Sequence, residues 1–121
     1  MLPSPTDAYR QTSRLALPPR AAEAEAFSKA ARLLNQARTG SFDYETYATA
    51  LRFNQTLWTI IQADLGRGGM HLHAELRRDI LNLSLYVDKQ TIKALADPKA
   101  EHLGGLVEIN RTIARGLSPT A

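Results

Sequence analysis

The chain has 121 residues, of which 44% are apolar and 22% charged, with a formal net charge of +3 at pH 7 and no cysteine. This length fits one domain that needs no disulfide or structural metal to fold, so we expect a single domain over residues 1–121. The absence of cysteine excludes thiol catalysis and cysteine-ligated zinc. The 15 basic and 12 acidic residues are interspersed, and this pattern disfavours nucleic-acid-binding proteins.

The N-terminal residues MLPSPTDAYRQ contain no apolar core and no early cluster of positive charge, so a signal peptide is not predicted. No segment approaches the roughly 20 apolar residues of a membrane-spanning helix, so we expect no membrane insertion. Ser4 is a candidate N-cap with Pro5 at the first helical position, which predicts a short helix from Ser4 to about Arg14. The prolines of Leu17-Pro18-Pro19 then turn the chain.

The first long helix is predicted over Pro19–Arg38, followed by Gly40, a residue type that ends helices. Its apolar side carries Phe27, Ala30, Ala31, Leu34 and Ala37, with Leu33 at the edge. Alanines on such a face allow a neighbouring helix to approach closely.

A second long helix is predicted over Tyr44–Leu65, with Asp43 as its N-cap and with Phe42 and Tyr47 at the positions of a hydrophobic staple. Its apolar residues fill about half of the helix circumference, whereas a surface helix needs a stripe of roughly 100°. We therefore expect either two neighbouring helices, or one neighbour and a bound partner, to cover this arc. The arc consists of Tyr47, Ala50, Leu51, Phe53, Leu57, Trp58, Ile60, Ile61 and Leu65.

The third long helix is predicted over His73–Ala96 and carries two apolar stripes, and the fourth, over Leu103–Gly116, carries one. One stripe of the third helix comprises Leu76, Ile80, Leu83, Val87 and Ala94, and the other comprises Leu81, Leu85, Ile92 and Leu95. The predicted fold is all-α: a small antiparallel bundle of four long helices plus a short N-terminal helix. Because the second and third helices have the widest apolar arcs, we expect them to be central and the others to flank them.

The search for catalytic, cofactor-binding and metal-binding residues predicts none. His71 and His73 supply at most two metal ligands on a polar loop. His102 stands alone, where we expect it to solvate the start of the next helix. Asp64 is a lone carboxylate near a helix end, where pairing with an arginine or capping of a helix is the usual role. The protein is therefore predicted not to be an enzyme.

Two polar residues, Asn54 and Asn110, interrupt apolar faces. A buried amide must be hydrogen-bonded, so each asparagine either bridges helices or meets the backbone of a bound peptide. The third helix also carries basic residues that could contact RNA, but acidic residues are interspersed and few aromatics accompany them. A solvated helix face is the favoured interpretation of Arg77, Arg78, Lys89 and Lys93.

Four patterned blocks follow one another in a distinctive order: AYRQTS with PPRAAEAEAFSKAARLL, LRFNQTLWTIIQADL, DILNLSLYVDKQTIKAL and LVEINRTIARGL. In order and spacing, from about Ala8 to Leu117, they resemble the FlaF family of flagellar biosynthesis regulators. The most distinctive parts are Asn54-Gln55 with Leu57-Trp58 and the INRTIARGL ending. Pro18 departs from the expected pattern, because a serine cap is expected before the Pro-Arg that begins the first long helix.

This resemblance implies a cytoplasmic, non-enzymatic protein of flagellated bacteria that promotes flagellin production or secretion, without a cofactor. Such a protein is expected to engage flagellin as an export chaperone and to act alongside FlbT, a regulator of flagellin messenger translation. The alternative is post-transcriptional regulation through the messenger RNA or an FlbT-type partner.

A chaperone of this kind would hold an amphipathic terminal helix of flagellin in an apolar groove. The candidate partner-binding residues are Phe53, Leu57, Trp58 and Ile61 of the second helix and Leu81 and Leu85 of the third. The competing interpretation of each of these residues is that it belongs to the core.

Overall fold

The computed structural model describes residues 19–68 and 74–117, and within these ranges the chain forms helices and no strand. The helices are α1 (Pro19–Arg38), α2 (Tyr44–Gly66), α3 (Ala74–Ala96) and α4 (Gly104–Leu117), with a 3₁₀ turn at Ala100–Leu103. The all-α class and the four long helices are therefore confirmed. The short helix predicted over Ser4–Arg14 lies outside the described residues. None of the helices in the described ranges is both long and apolar enough to cross a membrane.

The start of α2 shows how local chemistry sets the helix bounds. The Asp43 carboxylate accepts hydrogen bonds from the backbone N–H of Thr46 at 2.9 Å and from its hydroxyl at 2.7 Å. These bonds satisfy an N–H group that the first turn leaves unpaired and hold the pKa of Asp43 below its usual value. The rings of Phe42 and Tyr47 lie 5.2 Å apart. The predicted cap and staple are both confirmed.

Helices α1 and α4 form an antiparallel pair, and α1 packs against α4 more extensively than against any other helix. The C-terminal end of α1 meets the N-terminal end of α4, where Arg38 lies beside Gly104. Small side chains permit this close approach. The buried alanines of α1 are Ala22, Ala24, Ala26, Ala30, Ala31 and Ala37.

Helix α2 has protein neighbours on several sides, as its wide apolar arc predicts, but α1 packs against its neighbours more extensively still, so the expectation that α1 only flanks the bundle is wrong. Helix α2 packs against α1 on one side and α3 on another, and it reaches α4 through a hydrogen bond between Trp58 and Asn110. Protein neighbours therefore cover the arc except for Ile60, which is half-buried. Its buried residues are Tyr47, Ala48, Ala50, Leu51, Phe53, Asn54, Leu57, Trp58, Ile61 and Leu65.

The prediction that α3 is also central is wrong, because α3 packs chiefly against α2 and the 3₁₀ turn. Its buried line consists of Ile80, Ser84, Val87, Thr91 and Ala94. The second apolar stripe faces outward, with Leu85 and Ile92 exposed. The physical reason is that α1 and α4 bury their apolar faces against each other and against α2, so α3 has one principal partner.

Tyr47 joins the start of α2 to the end of α3. Its buried hydroxyl donates a 2.6 Å hydrogen bond to the carbonyl oxygen of Ala94 and accepts one from the backbone N–H of Lys99 at 3.2 Å. Burial raises the pKa of this phenol, so the hydroxyl remains a donor at neutral pH. The contact fixes where the chain leaves α3.

His102 closes the same end of the bundle, although we expected it to solvate a helix start. It is buried, and its Nε2 lies 3.0 Å from Oδ2 of Asp97. Its carbonyl oxygen accepts a 2.9 Å hydrogen bond from Gln90 of α3. The bond to His102, together with the charges of Lys99 and His102, holds the pKa of Asp97 below its usual value.

We expect Asp97→Asn to destabilise the protein at neutral pH and to flatten the acid side of its stability profile. A carboxylate whose pKa is lowered by folding stabilises the folded state above its ordinary pKa near 3.8, and this stabilisation disappears as the pH falls through the folded-state pKa. Thermal unfolding of both proteins from neutral to acidic pH measures the difference. A gap in melting temperature that widens on acidification would contradict the pairing.

Candidate functional site

The residues predicted to line a groove on α2 are buried in the core. Leu57 and Ile61 are 0% exposed, Trp58 is 1% exposed and Phe53 is 4% exposed. On α3, Leu81 is half-buried and Leu85 is exposed. Because α1 and α4 cover the side of α2 that carries Trp58, the structure does not bring these six side chains together around an open groove.

Trp58 lies where three helices meet. Its ring packs edge-on against Phe27 of α1, with centroids 5.3 Å apart, and its Nε1 donates a 2.9 Å hydrogen bond to Oδ1 of Asn110 on α4. Edge-to-face pairs of this kind stabilise cores beyond their buried area. The indole therefore joins α1, α2 and α4.

The hydrogen bond from Trp58 orients a buried chain of amides. An indole N–H can only donate, so Asn110 must present its oxygen to Trp58 and its Nδ2 to Asn54, whose Oδ1 accepts at 2.7 Å. Both asparagines are fully buried, and the prediction that they bridge helices is confirmed. Among the described residues, Nδ2 of Asn54 has no hydrogen-bond partner, so the chain ends on an unpaired donor.

A line of exposed apolar side chains runs along the outer side of α3; we call it the α3 stripe. Leu85 is 62%, Ile92 66% and Leu95 36% exposed, and half-buried Leu81 begins the line. Their spacing places them on one side of the helix over about 21 Å, at about 1.5 Å per residue. Asp88 lies within the line and accepts a 3.3 Å hydrogen bond from Gln62 of α2, so α2 borders the stripe.

A second surface feature lies between α1 and α4; we call it the arginine groove. It has a volume of about 600 Å³ and receives three arginines, Arg32 from α1 and Arg111 and Arg115 from α4. Among the described residues, no acidic side chain lines it. The remaining lining residues are Ser28, Ala31, Asn35, Gln36 and Ala114.

The side chains first considered for metal binding or catalysis do not form a reactive site in the described ranges. His71 and His73 lie outside the described residues. Asp64 pairs with Arg67 at 2.6 Å, as expected of a lone carboxylate near a helix end. Within residues 19–68 and 74–117, no group of three or more His, Asp or Glu is placed to share a metal ion.

A family model described as flagellar protein FlaF matches residues 5–117. The chain belongs to the FlaF family. The match includes all four helices of the described structure, so the FlaF resemblance is confirmed and the protein is a flagellar one. Comparison with curated proteins and with solved structures gives no match. The surfaces of this FlaF-family protein must therefore be interpreted from their own chemistry.

Sequence reasoning missed two parts of these surfaces. Ile92 and Leu95 were assigned to a stripe of α3 but not to the partner-binding set, although the stripe visibly continues past Leu85 in the sequence. The arginine groove gave a weaker signal. Arg111 and Arg115 share one side of α4, but only the packing of α1 places Arg32 opposite them.

Truncation of one residue from each part of the predicted set should separate core from surface. We expect Leu57→Ala to cost about 2–5 kcal/mol in the free energy of unfolding, because it leaves a cavity. Leu85→Ala, at an exposed position, should change that free energy by less than about 0.5 kcal/mol. Urea unfolding followed by circular dichroism measures both. Equal losses would show that Leu57 is not in a packed core.

Removal of the two asparagines should destabilise the protein to different extents. Asn110→Leu removes the central member and leaves both Trp58 Nε1 and the Asn54 amide unpaired, at about 1–3 kcal/mol for each buried group. Asn54→Leu leaves only Asn110 Nδ2 unpaired and removes the unpaired donor of Asn54. Asn110→Leu should therefore destabilise the protein by about 1–3 kcal/mol more. Denaturant unfolding of both variants decides the order, and a larger loss for Asn54→Leu would overturn it.

Proposed function

We propose that this FlaF-family protein is a cytoplasmic, non-enzymatic factor that promotes flagellin production and secretion by binding flagellin as an export chaperone. The observation that supports the proposal best is the α3 stripe. Exposed apolar patches with polar borders are typical of protein-binding surfaces. Here the patch belongs to a protein whose family is flagellar.

The shape of the stripe suits a helical guest. It is a straight line of aliphatic side chains, and an amphipathic helix laid beside it could contribute its own apolar residues at the same spacing. Its length of about 21 Å corresponds to about four helical turns of the guest. We therefore revise the predicted docking site from the side of α2 that carries Trp58 to the outer side of α3, and we retain Leu81 and Leu85 from the original set.

The composition of the stripe favours reversible binding. Full burial of Leu85, Ile92 and Leu95 would contribute at most about 1.5–3 kcal/mol for each side chain. Association itself costs an estimated 4–15 kcal/mol, so the stripe alone supports a weak complex that needs further contacts from the borders. Weak, extended binding is suitable for a cargo that must be released at the export apparatus.

The borders of the stripe favour one orientation of the bound helix. Lys89 and Lys93 are exposed one turn apart beside the stripe, whereas the opposite border is formed by α2, whose Gln62 donates a hydrogen bond to Asp88 within the stripe. A guest helix with acidic residues along one edge would therefore bind in one direction better than in the reverse direction. Charged borders of this kind set orientation more than affinity.

The test is capture of purified flagellin by the wild-type protein and by the double variant Leu85→Gln with Ile92→Gln. We expect the wild type to bind and the double variant to bind at least about tenfold more weakly, because two exposed anchors near the middle of the surface are lost. Calorimetry or biolayer interferometry with monomeric flagellin measures the difference. Both substitutions lie at exposed positions, so the melting temperature should barely change.

A matched control is Tyr44→Gln, which removes a side chain that is 52% exposed at the start of α2, on a different helix from the stripe. It should leave flagellin binding unchanged. Failure of the wild type to bind flagellin at micromolar concentration would overturn the chaperone proposal. Equal losses in the control and the double variant would leave the chaperone proposal standing and reject the stripe as its site.

A further inference from the structure

A second surface, the arginine groove, lies on the two helices that pair with each other and is separate from α3. Its lining combines two small buried residues, Ala31 of α1 and Ala114 of α4, with longer polar side chains. Small residues at a helix crossing with long residues around them produce a recess. The volume of about 600 Å³ lies within the range of roughly 300–1,000 Å³ typical of ligand sites.

The described lining of this recess carries charge of one sign only. Arg111 and Arg115 are one turn apart on α4, and Arg32 lies across from them on α1, while no carboxylate of residues 19–68 or 74–117 lines the groove. Like charges one turn apart destabilise a helix, and the third guanidinium adds to the repulsion. A bound anion would relieve this unfavourable arrangement.

The three guanidinium groups are available to a ligand. Arg32 has a long ion pair with Glu25 at 3.8 Å, and Arg111 has a hydrogen-bonded ion pair with Glu108 at 3.1 Å, both among exposed side chains. Exposed pairs of this kind contribute little to stability and exchange readily. The guanidinium of Arg115 makes a long contact, 3.5 Å, with the hydroxyl of Thr112. Each guanidinium group can therefore turn toward an anionic oxygen of a ligand.

The other side chains of the groove indicate which anion fits. Asn35, Gln36 and Ser28 carry amide and hydroxyl groups that can bond to a peptide backbone, whereas no aromatic residue in the described part of the chain lines the groove. Without an aromatic platform, the stacking that holds single-stranded nucleic acid is missing. Planar guanidinium groups match carboxylates in a bidentate geometry. The chemistry thus favours an acidic polypeptide over RNA.

The length of the groove limits the size of the ligand. From Ser28 to Gln36 the wall of α1 extends about 12 Å, at about 1.5 Å per residue. An extended chain advances about 3.3 Å per residue, so about four residues fit along it. We propose that the arginine groove binds a short, extended acidic segment of a protein partner, with at least two Asp or Glu within about four residues. This site is independent of flagellin binding at the α3 stripe.

The test uses the full chain and a fluorescein-labelled peptide of six glutamates, with a six-glutamine peptide as the uncharged comparison. Fluorescence polarisation at about 0.1 M salt, where the screening length is about 10 Å, should show saturable binding of the glutamate peptide only. Arg111→Gln with Arg115→Gln should weaken it on the order of tenfold or more. Arg111→Lys with Arg115→Lys, which keeps the charge but loses the planar forks, should give an intermediate loss.

The matched control is Arg52→Gln with Arg78→Gln, which removes the same charge from exposed positions on α2 and α3. It should weaken binding less than about twofold, because distant exposed charges are screened. An equal loss of peptide affinity in the control would show that the effect comes from net charge, and it would overturn the arginine groove as the binding site. Absence of saturable binding by the wild type would overturn it as well.

Competition decides the class of ligand. Tripolyphosphate and single-stranded RNA are compared with the unlabelled peptide as competitors of the labelled one. If either displaces it at a lower concentration than the unlabelled peptide, the groove binds a phosphate ligand and the proposal is overturned. The variant Arg111→Gln with Arg115→Gln keeps the α3 stripe intact and should still capture flagellin. Peptide binding and flagellin binding can therefore fail separately, and each failure identifies its own surface.

Discussion

The rest of the fold depends on the placement of one buried donor, the indole N–H of Trp58. A donor in the core must find an acceptor, because an unpaired buried polar group costs about 1–3 kcal/mol. Oδ1 of Asn110 supplies it, which fixes the orientation of that amide and requires Asn54 to accept the next bond. One aromatic residue therefore sets the register of α4 against α2, and Phe27 places α1 against the same ring. The core is a three-helix junction around this point.

The position of α3 follows from that junction. Once α1 and α4 cover the side of α2 that carries Trp58, the remaining side of α2 accommodates one more helix. The buried hydroxyls of Ser84 and Thr91 bond to carbonyl oxygens of their own helix, so polar side chains lie at this contact without unpaired groups. A peripheral helix with two apolar stripes can bury only one, and the other faces outward as the α3 stripe. Packing geometry thus creates the surface on which the chaperone proposal rests.

The same pairing of α1 with α4 creates the arginine groove. Close approach of the two helices at their alanines leaves long side chains to form the walls, and these happen to be cationic on both sides. The molecule therefore offers an aliphatic surface on α3 and a cationic surface between α1 and α4. The two differ in chemistry and in supporting helices, so they suit different partners or different segments of one partner.

The sequence alone determined the features that depend on neighbouring residues. The helical period and the residue preferences at helix ends predict the bounds of α1 and the apolar sides of α1 and α4. They also predict the Asp43 cap and the contact of Phe42 with Tyr47. The bridging role of the asparagines was also predictable, since a buried amide requires a partner. The order of the motifs identified the FlaF family before any helix was placed, and the family match confirms it.

Only the tertiary structure decided which apolar surfaces meet. Periodicity showed that α2 had a wide arc and that α3 had two stripes, but it did not determine whether protein or partner covers them. Trp58 proved to be core and Leu85 surface, although both appeared equally apolar in the sequence. Arg32 lies in the same groove as Arg111 and Arg115 because α1 packs against α4, although these helices are far apart in the sequence. The physical reason is that burial depends on which helices pair, and pairing is settled by contacts between residues far apart in sequence.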